Sequence, residues 1–567
     1  MDSRCWIFRR LSNFALALTS AVAMVLSQSP FELGALATVA LVPWLVTSSR
    51  SGPVEAVVTS VVMGVAYATI GTPWLLEAFR SQGVDGLRGV FGVLAVALWG
   101  KGLLFGLIGW LVWRLRGRSD LVRIIVPAAL FGLMEHWISA SSLGLPLLFL
   151  GHSQHSVPGV MQFVLVAGVP GISALLFAVN AAFASALLER RPGGTRAAAA
   201  WAAAWLVIAI SGLPIARAFA PAIQSSPKTL LVVQPNIRPV HRWDAVYQGV
   251  ILDEVPAETS RALMEVGRSP DAILWPENLL TLPATQDNEL GRRLRDYVNH
   301  WETPVVTGLV RGIVGGDVNR YRNSAVWWSP EGGERDAIDK VRAIPLFESS
   351  RVFWGRGLLA RMLGETAGGQ RVEEAQVARP LRGEFTLSTV LCFEVLFPEI
   401  VAARRDDESV AIVNLADDSW VPGEVVDAQL VAAAAFRAVE QRLTLIRVSH
   451  GGLSVVIDRY GQTITSLEPN TVAHLFVEVS AGPKPSSLEK TALLMLPMTA
   501  GWLAWSLFPL LQHGFTSTRT TQRFPPLDST ASHATKPTPS SSPDKQASVA
   551  SDGIAASFAR KDKVRSS

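Results

Sequence analysis

The sequence predicts two joined structures, a multi-pass α-helical membrane domain and an α/β domain built on mixed β-sheet. Three observations predict this. Of the 567 residues, 49% are hydrophobic and only 17% are charged, a balance shifted toward membrane proteins. The apolar residues crowd into 1–220 and 490–512. Residues 226–487 instead carry charges, turns and short β-rich runs that alternate with helical patterns.

A spanning helix needs roughly 20 mostly apolar residues. Segments 11–28, 31–48, 54–77, 88–113, 122–141, 158–187 and 198–220 qualify within 1–220, giving about seven helices, and 491–511 adds an eighth. The first segment also has the basic start and short core of a cleaved signal, but the many spans behind it make an anchor the simpler expectation. Arg4, Arg9, Arg10, Arg50, Arg114, Arg116, Arg118, Arg123, Arg190, Arg191 and Arg196 fall on one side if the spans alternate. That side is expected to be the cytoplasm, which puts 226–487 outside. Arg80 and Arg88 run against this scheme. Inside the spans, Lys101 is expected to be structural or to snorkel, and Glu135-His136 is a candidate for function. The apolar loop 144–154, interrupted by Pro146, is expected to lie at the interface. The Ser/Thr/Pro/Lys-rich stretch 513–567 is expected to be a disordered cytoplasmic tail.

The soluble part opens with TLLVVQPNI, a strand, and a helical stretch near 246–267. DAILWPE (271–277), PVVTGLV (304–310) and NSAVWWSP (323–330) are further strands, with a helix over 288–300. FTLSTVLCFE, VAIVNLA (410–416), LTLIRVS, LSVVIDRYG and TVAHLFVEVS follow, with a helix over 425–442. Between them, RVFWGRGLLARMLGE (351–365) alternates large apolar side chains with arginines, as a basic amphipathic arm that dips into a lipid surface would.

Only two cysteines occur, so no disulfide framework exists. Cys5 sits in the basic leader and is incidental. Cys392 ends a β-like run and is followed by Phe393, Glu394 and a turn at Phe397-Pro398. Glu277 ends another run, and Lys340 lies in IDKVRAIPLFE. Strand ends hold side chains rigidly, which catalysis requires. A thiol with an ordinary pKa is mostly protonated at neutral pH and needs a base, a role a carboxylate fills. A lysine, with the Phe393 N–H, can stabilise a tetrahedral oxyanion. Taken singly, each residue has a plainer explanation: a turn glutamate, a solvated lysine, a small core thiol. No histidine pair has metal-ligand spacing and no Cys-x-x-Cys occurs, so neither metal nor cofactor is expected. The net charge of +4 lies largely beside the apolar segments, which suits lipid headgroups rather than nucleic acid.

Glu277 in WPE, Lys340 with Pro345 and Glu348 downstream, and Cys392 in CFE before Phe397-Pro398-Glu399 together resemble the carbon–nitrogen hydrolase (nitrilase) superfamily. That resemblance implies an αββα sandwich with a Glu-Lys-Cys triad. Seven spans before such a domain and one after it resemble the apolipoprotein N-acyltransferase family, a similarity that runs to about residue 512. It implies that Glu277 is the base, that Lys340 stabilises the intermediate and that Cys392 forms a thioester. Glu348 and Glu394 match supporting carboxylates, Trp243 and Trp420 match tryptophans on substrate loops, and Asn323 lies in a further matching run. The sequence departs from the family at Leu346-Phe347-Glu348-Ser349, at Asp417 to Val421 and at Ser449 to Gly452.

The resemblance implies a phospholipid acyl donor, a diacylglyceryl-cysteine lipoprotein acceptor and a bacterial inner membrane, with 226–487 the periplasmic catalytic domain. A monomer is expected. Two alternatives stay open: a membrane-bound amidase or nitrilase acting on a small substrate, and a non-catalytic lipoprotein-binding relative.

Overall fold

The computed structural model describes residues 3–516 except 82, 142–143, 190–191, 221, 224, 243, 245, 285–287, 313–319, 345–346, 349–370, 420, 422 and 483. Trp243, Trp420, the arm 351–365 and the tail beyond 516 therefore lie outside the described residues. The described residues up to Gln512 form one compact unit.

Among the described residues, six helices are long and apolar enough to cross a membrane: Ile7–Ser27, Pro53–Gly71, Gly86–Leu115, Asp120–Ala140, Val164–Leu188 and Gly194–Phe219. A last helix runs over Ser487–Thr516. The expected span 31–48 differs. It is a 3-10 turn, Gly34–Thr38, followed by the nine-residue helix Val42–Arg50. At about 1.5 Å per residue that helix alone rises only about 13 Å. The broken segment still returns along the first helix. Trp44 N–H donates to Ser20 Oγ at 3.0 Å, and Asn13 meets Glu55 at 2.9 Å, just past its end.

Lys101 interrupts its span through a π-turn, Leu98–Gly102. Its ammonium donates to Leu148 O at 2.9 Å, and Tyr67 OH donates to the same carbonyl at 3.0 Å. Gln28 donates to Phe149 O at 3.2 Å, and Glu135 accepts from Leu150 N–H at 3.1 Å. Both intramembrane charges thus serve backbone groups where the loop enters the 3-10 turn Leu150–Ser156. Residues 147–154 of the loop expected at the interface are buried within the protein, with Leu148 against Gly71 at the end of helix Pro53–Gly71. Irregular backbone buried among apolar helices requires internal partners, and these side chains supply them.

The second half is an αββα sandwich. One sheet has the order β13-β1-β2-β3-β4-β5 with β6 beside β4, and the other β12-β11-β10-β9-β8-β7. The strands are β1 (Lys228–Gln234), β2 (Ala272–Leu274), β3 (Val305–Gly312), β4 (Arg320–Ser329), β5 (Gly333–Asp339), β6 (Arg371–Val372), β7 (Leu381–Arg382), β8 (Thr386–Leu391), β9 (Ser409–Ala416), β10 (Leu445–Ser449), β11 (Val455–Ile457), β12 (Thr463–Ser466) and β13 (Ala473–Val479). β1, β2 and β3 run parallel, as do β8, β9 and β10. Side chains alternate with the pleat. Leu230, Val232, Leu274 and Val306 meet Leu391, Val413, Leu415, Ile446 and Val448 between the sheets. Leu231, Val233 and Ile273 face the other way, against helices Tyr247–Val266 and Glu289–Trp301.

The outer face of the second sheet carries helix Glu424–Gln441, and its core is continuous with that of the membrane helices. Gln429 donates to Gly71 O at 2.7 Å, and Trp74 Nε1 donates to Gln429 Oε1 at 3.2 Å. His152 packs on the Phe436 ring at 5.6 Å. Buried Arg442 bonds Gln162 at 2.8 Å and Glu489, at the root of the last helix, at 2.9 Å. The sandwich is therefore seated on the bundle by directional bonds as well as by apolar contact.

Candidate active site

Glu277 sits on the turn that leaves β2, buried to 1% exposure. The turn is pressed against β3, where Gly308 N–H donates to Pro276 O at 3.0 Å. A Cβ at Gly308 would lie 2.4 Å from Glu277 Cα. Gly308→Ala is therefore expected to displace the carboxylate. A misplacement of about 1 Å costs about 100-fold in rate. The check is the initial rate of acyl-enzyme formation beside the thermal midpoint of the purified protein.

Lys340, just past β5, is fully buried and donates to Glu277 Oε1 at 3.1 Å and to Glu348 Oε1 at 2.8 Å. Glu348 Oε2 accepts from Ile344 N–H at 2.8 Å. Asn323, on β4, donates its amide to Glu277 Oε1 at 2.6 Å, and its Oδ1 is buried without a partner. Two carboxylates share one ammonium, and the cluster is one negative charge in excess. Burial pushes the Glu277 carboxyl up to about 7; Lys340 opposes this, and the charges of Glu348 and Asp417 add to it. Burial disfavours charge on Lys340, but Glu277, Glu348 and Cys392 hold its ammonium well above the ordinary lysine value.

Cys392 is the first residue after β8 and opens the 3-10 turn Cys392–Leu396. Its φ is 49°, a left-handed conformation that costs a side-chain-bearing residue about 1–3 kcal/mol. Its surroundings hold it there. Asn414 donates to Cys392 O at 3.0 Å. Glu394, fully buried, accepts from Leu391 N–H at 2.9 Å and from Val341 N–H at 2.7 Å, with Arg404 at 3.3 Å. Glu394 thus clamps the Cys392 turn to the Lys340 strand end. Burial, then the charge of Glu277, raises the Cys392 thiol well above its ordinary value, while Lys340 and Arg447 pull it down. The resting group is a thiol.

Phe393 meets Trp74 of the helix Trp74–Ser81 with ring centroids 6.5 Å apart, and Phe79 of that helix meets Phe347 at 5.5 Å. The nucleophile turn and the Glu348 loop therefore abut the membrane helices. Arg342 lies 4.3 Å from the Phe397 ring and donates to Ser141 O at 3.0 Å, joining the same seam. A buried carboxylate, ammonium and thiol at three strand ends beside an apolar seam can perform acyl transfer by nucleophilic catalysis.

The sequence pattern did not single out Asn414, Asp418, Arg447 or the contact of His450 with Glu277. Arg447 bonds Asp418 at 2.6 and 2.7 Å, and His450 Nε2 lies 2.7 Å from Glu277 O. An arginine placed inside the apolar β-run LTLIRVS was the available signal.

Among solved structures, an amidase from Nesterenkonia sp. is 20% identical, over 46% of this chain and 93% of that chain, with a TM-score of 0.32. The family model for the apolipoprotein N-acyltransferase N-terminal domain matches residues 20–182. Apolipoprotein N-acyltransferase of Brucella melitensis biotype 1 is 27% identical over 518 residues, 87% of this chain and 95% of its own length. That of Geobacter metallireducens is 26% identical over 458 residues, 79% of this chain and 86% of its own length. With six long apolar helices and a Cys392-bearing sandwich seated on them, the chain is a multi-pass membrane protein similar over most of its length to apolipoprotein N-acyltransferases.

Proposed function

We propose that this protein N-acylates the amino-terminal diacylglyceryl-cysteine of lipoproteins, taking the acyl chain from a phospholipid through a thioester on Cys392. The observation that carries this is the Glu277–Lys340–Glu348 cluster beside the Cys392 thiol, on the face of the sandwich that abuts the membrane helices.

The chemistry proceeds in two halves. Glu277 takes the thiol proton as Cys392 Sγ attacks the ester carbonyl carbon. Lys340 and the Phe393 N–H stabilise the oxyanion. The C–O bond breaks as Glu277 gives its proton to the departing oxygen, so the lysophospholipid leaves as an alcohol and Glu277 is ionised again. The acceptor's free α-amine then attacks the thioester. Its proton passes through Glu277 to the departing thiolate, and an amide remains. The apolar seam limits water at the thioester. Trp243 and Trp420 are assigned to the substrate loops, and 351–365 to a lipid-facing arm.

The catalytic domain is assigned to the periplasmic side. Asn13 meets Ser51 and Glu55 at one end of helix Pro53–Gly71, and the sandwich binds Gly71 at the other. Arg50 and the run Arg114 to Arg123 follow spans that end on the Asn13 side, which supports a cytoplasmic basic end.

Incubation with a phospholipid radiolabelled in its acyl chain, read on denaturing gels, tests the proposal. Label on the protein that passes to an added diacylglyceryl lipopeptide is the expected result. Label released to water alone identifies a hydrolase, and absence of label on folded protein identifies a binding relative. The rate of labelling is expected to rise about tenfold per pH unit up to about 7 and then flatten, because only ionised Glu277 accepts the thiol proton. Glu277→Gln removes that dependence and lowers the rate at least about 100-fold.

A further inference from the structure

The end of β10 is bonded to both halves of the site. Arg447 is fully buried and donates through Nη2 to both carboxylate oxygens of Asp418, at 2.6 and 2.7 Å. Its Nη1 donates to Asn414 Oδ1. Asn414, on β9, passes its own amide to Cys392 O at 3.0 Å and Val390 O at 3.3 Å. Ser449 Oγ donates to Asp418 Oδ2 at 3.0 Å. One residue on, His450 Nε2 lies 2.7 Å from Glu277 O. A carbonyl only accepts, so Nε2 carries the hydrogen. His450 O in turn accepts from Asn236 N–H, just past β1, at 2.7 Å.

These bonds answer a problem posed by the fold. Glu277 leaves β2 in one sheet, while Cys392 leaves β8 in the other. Each ladder fixes register within its own sheet. The apolar layer between the sheets fits by shape and carries no directional register. Acyl transfer needs base and nucleophile held to within a fraction of an ångström. We propose that Arg447 and His450 are positioning residues that together set Cys392 on the second sheet against Glu277 on the first. Arg447 acts through Asn414 on the Cys392 carbonyl, where the left-handed turn must be held. His450 acts directly on the Glu277 backbone. Asp418 ties the same strand end to the chain just past β9. The inference rests on the reading of Cys392 as nucleophile and Glu277 as base.

The test uses the full chain in detergent–phospholipid micelles with Cys5→Ser, which leaves Cys392 as the single thiol. Three quantities are measured: acyl-enzyme formation from labelled phospholipid as kcat and KM, the rate of Cys392 alkylation by iodoacetamide against pH, and the thermal midpoint. His450→Leu keeps bulk but cannot donate. It is expected to lower kcat for acyl-enzyme formation at least tenfold with KM changed less than twofold. His450→Gln places an amide N–H near the lost Nε2 and is expected to recover at least a third of the rate. Arg447→Lys keeps the charge, loses the fork, and is expected to move the alkylation profile to higher pH. Leucine and glutamine variants that both match the parent rate overturn the proposal. So does a kcat loss that glutamine fails to repair while the thermal midpoint falls in step. Should Arg447→Lys fail to fold, the His450 pair decides alone. If the parent protein never forms an acyl-enzyme, the assigned function fails, and the His450 dependence of the alkylation profile still decides the alignment.

Discussion

Cys392→Ala is expected to abolish acyl transfer, a loss on the order of 10⁴-fold or more, since no other group on these strand ends can form the thioester. The fold should tolerate the change. Cys392 is buried, but it is a small side chain, and its removal costs about 1 kcal/mol or less of apolar burial. Cys392→Gly is the sharper experiment. At φ 49° glycine relieves the left-handed strain, so the variant is expected to unfold at a temperature equal to or above that of the parent while making no acyl-enzyme. A protein that is more stable and inactive would show that the backbone is held strained for the sake of the thiol. The measurement pairs a thermal melt in detergent with gel-resolved labelling by phospholipid. Retained label on either variant would place the nucleophile elsewhere.

The sequence made the strand-end residues legible because β-runs interrupted by a polar residue and a turn are local patterns. WPE after DAIL, and CFE after STVL, each announce a side chain fixed at the edge of a sheet. Glu348 was legible only through the family resemblance, and the structure bonds it to Lys340. The rest of the site was not legible, since its contacts join residues far apart along the chain. Nothing near His450 reveals that its ring reaches the Glu277 carbonyl 173 residues away. Asn323 was expected at the substrate, and its bond to Glu277 is set by which neighbour β4 faces, which the local sequence does not show. In the membrane half, hydropathy marked the long helices well. It misjudged 31–48, where the chain departs from regular helix and is held by Asn180, and it did not show that the loop 144–154 is held by Gln28, Tyr67, Lys101 and Glu135. Hydropathy counts apolar residues, whereas these segments are decided by single polar bonds.

Lys340→Met should produce the second large effect, in both rate and stability. The substitution nearly conserves length and removes the one ammonium shared by Glu277 and Glu348. Removing one partner of a buried pair costs about 3–5 kcal/mol, because the remaining charge is left uncompensated. The sign of the pH dependence follows from linkage. In the parent, burial holds Glu277 near 7, above its unfolded value of about 4.3, so the native state binds more protons between those values. The stability it contributes is full below about 4.3 and is lost as pH rises to about 7. Without Lys340 the opposing pull disappears, the native carboxyl moves higher still, and the loss extends into the alkaline range. Lys340→Met is therefore expected to be markedly less stable at pH 8 than at pH 5.5, with a steeper slope above 7 than the parent shows. The double variant Lys340→Met/Glu277→Gln removes the orphaned charge along with its partner. It should regain much of the lost stability and none of the activity, a strongly non-additive cycle. Equal thermal midpoints for Lys340→Met across that pH range, or additive losses in the double variant, would mean that the ammonium and the carboxylate do not share one buried charge balance.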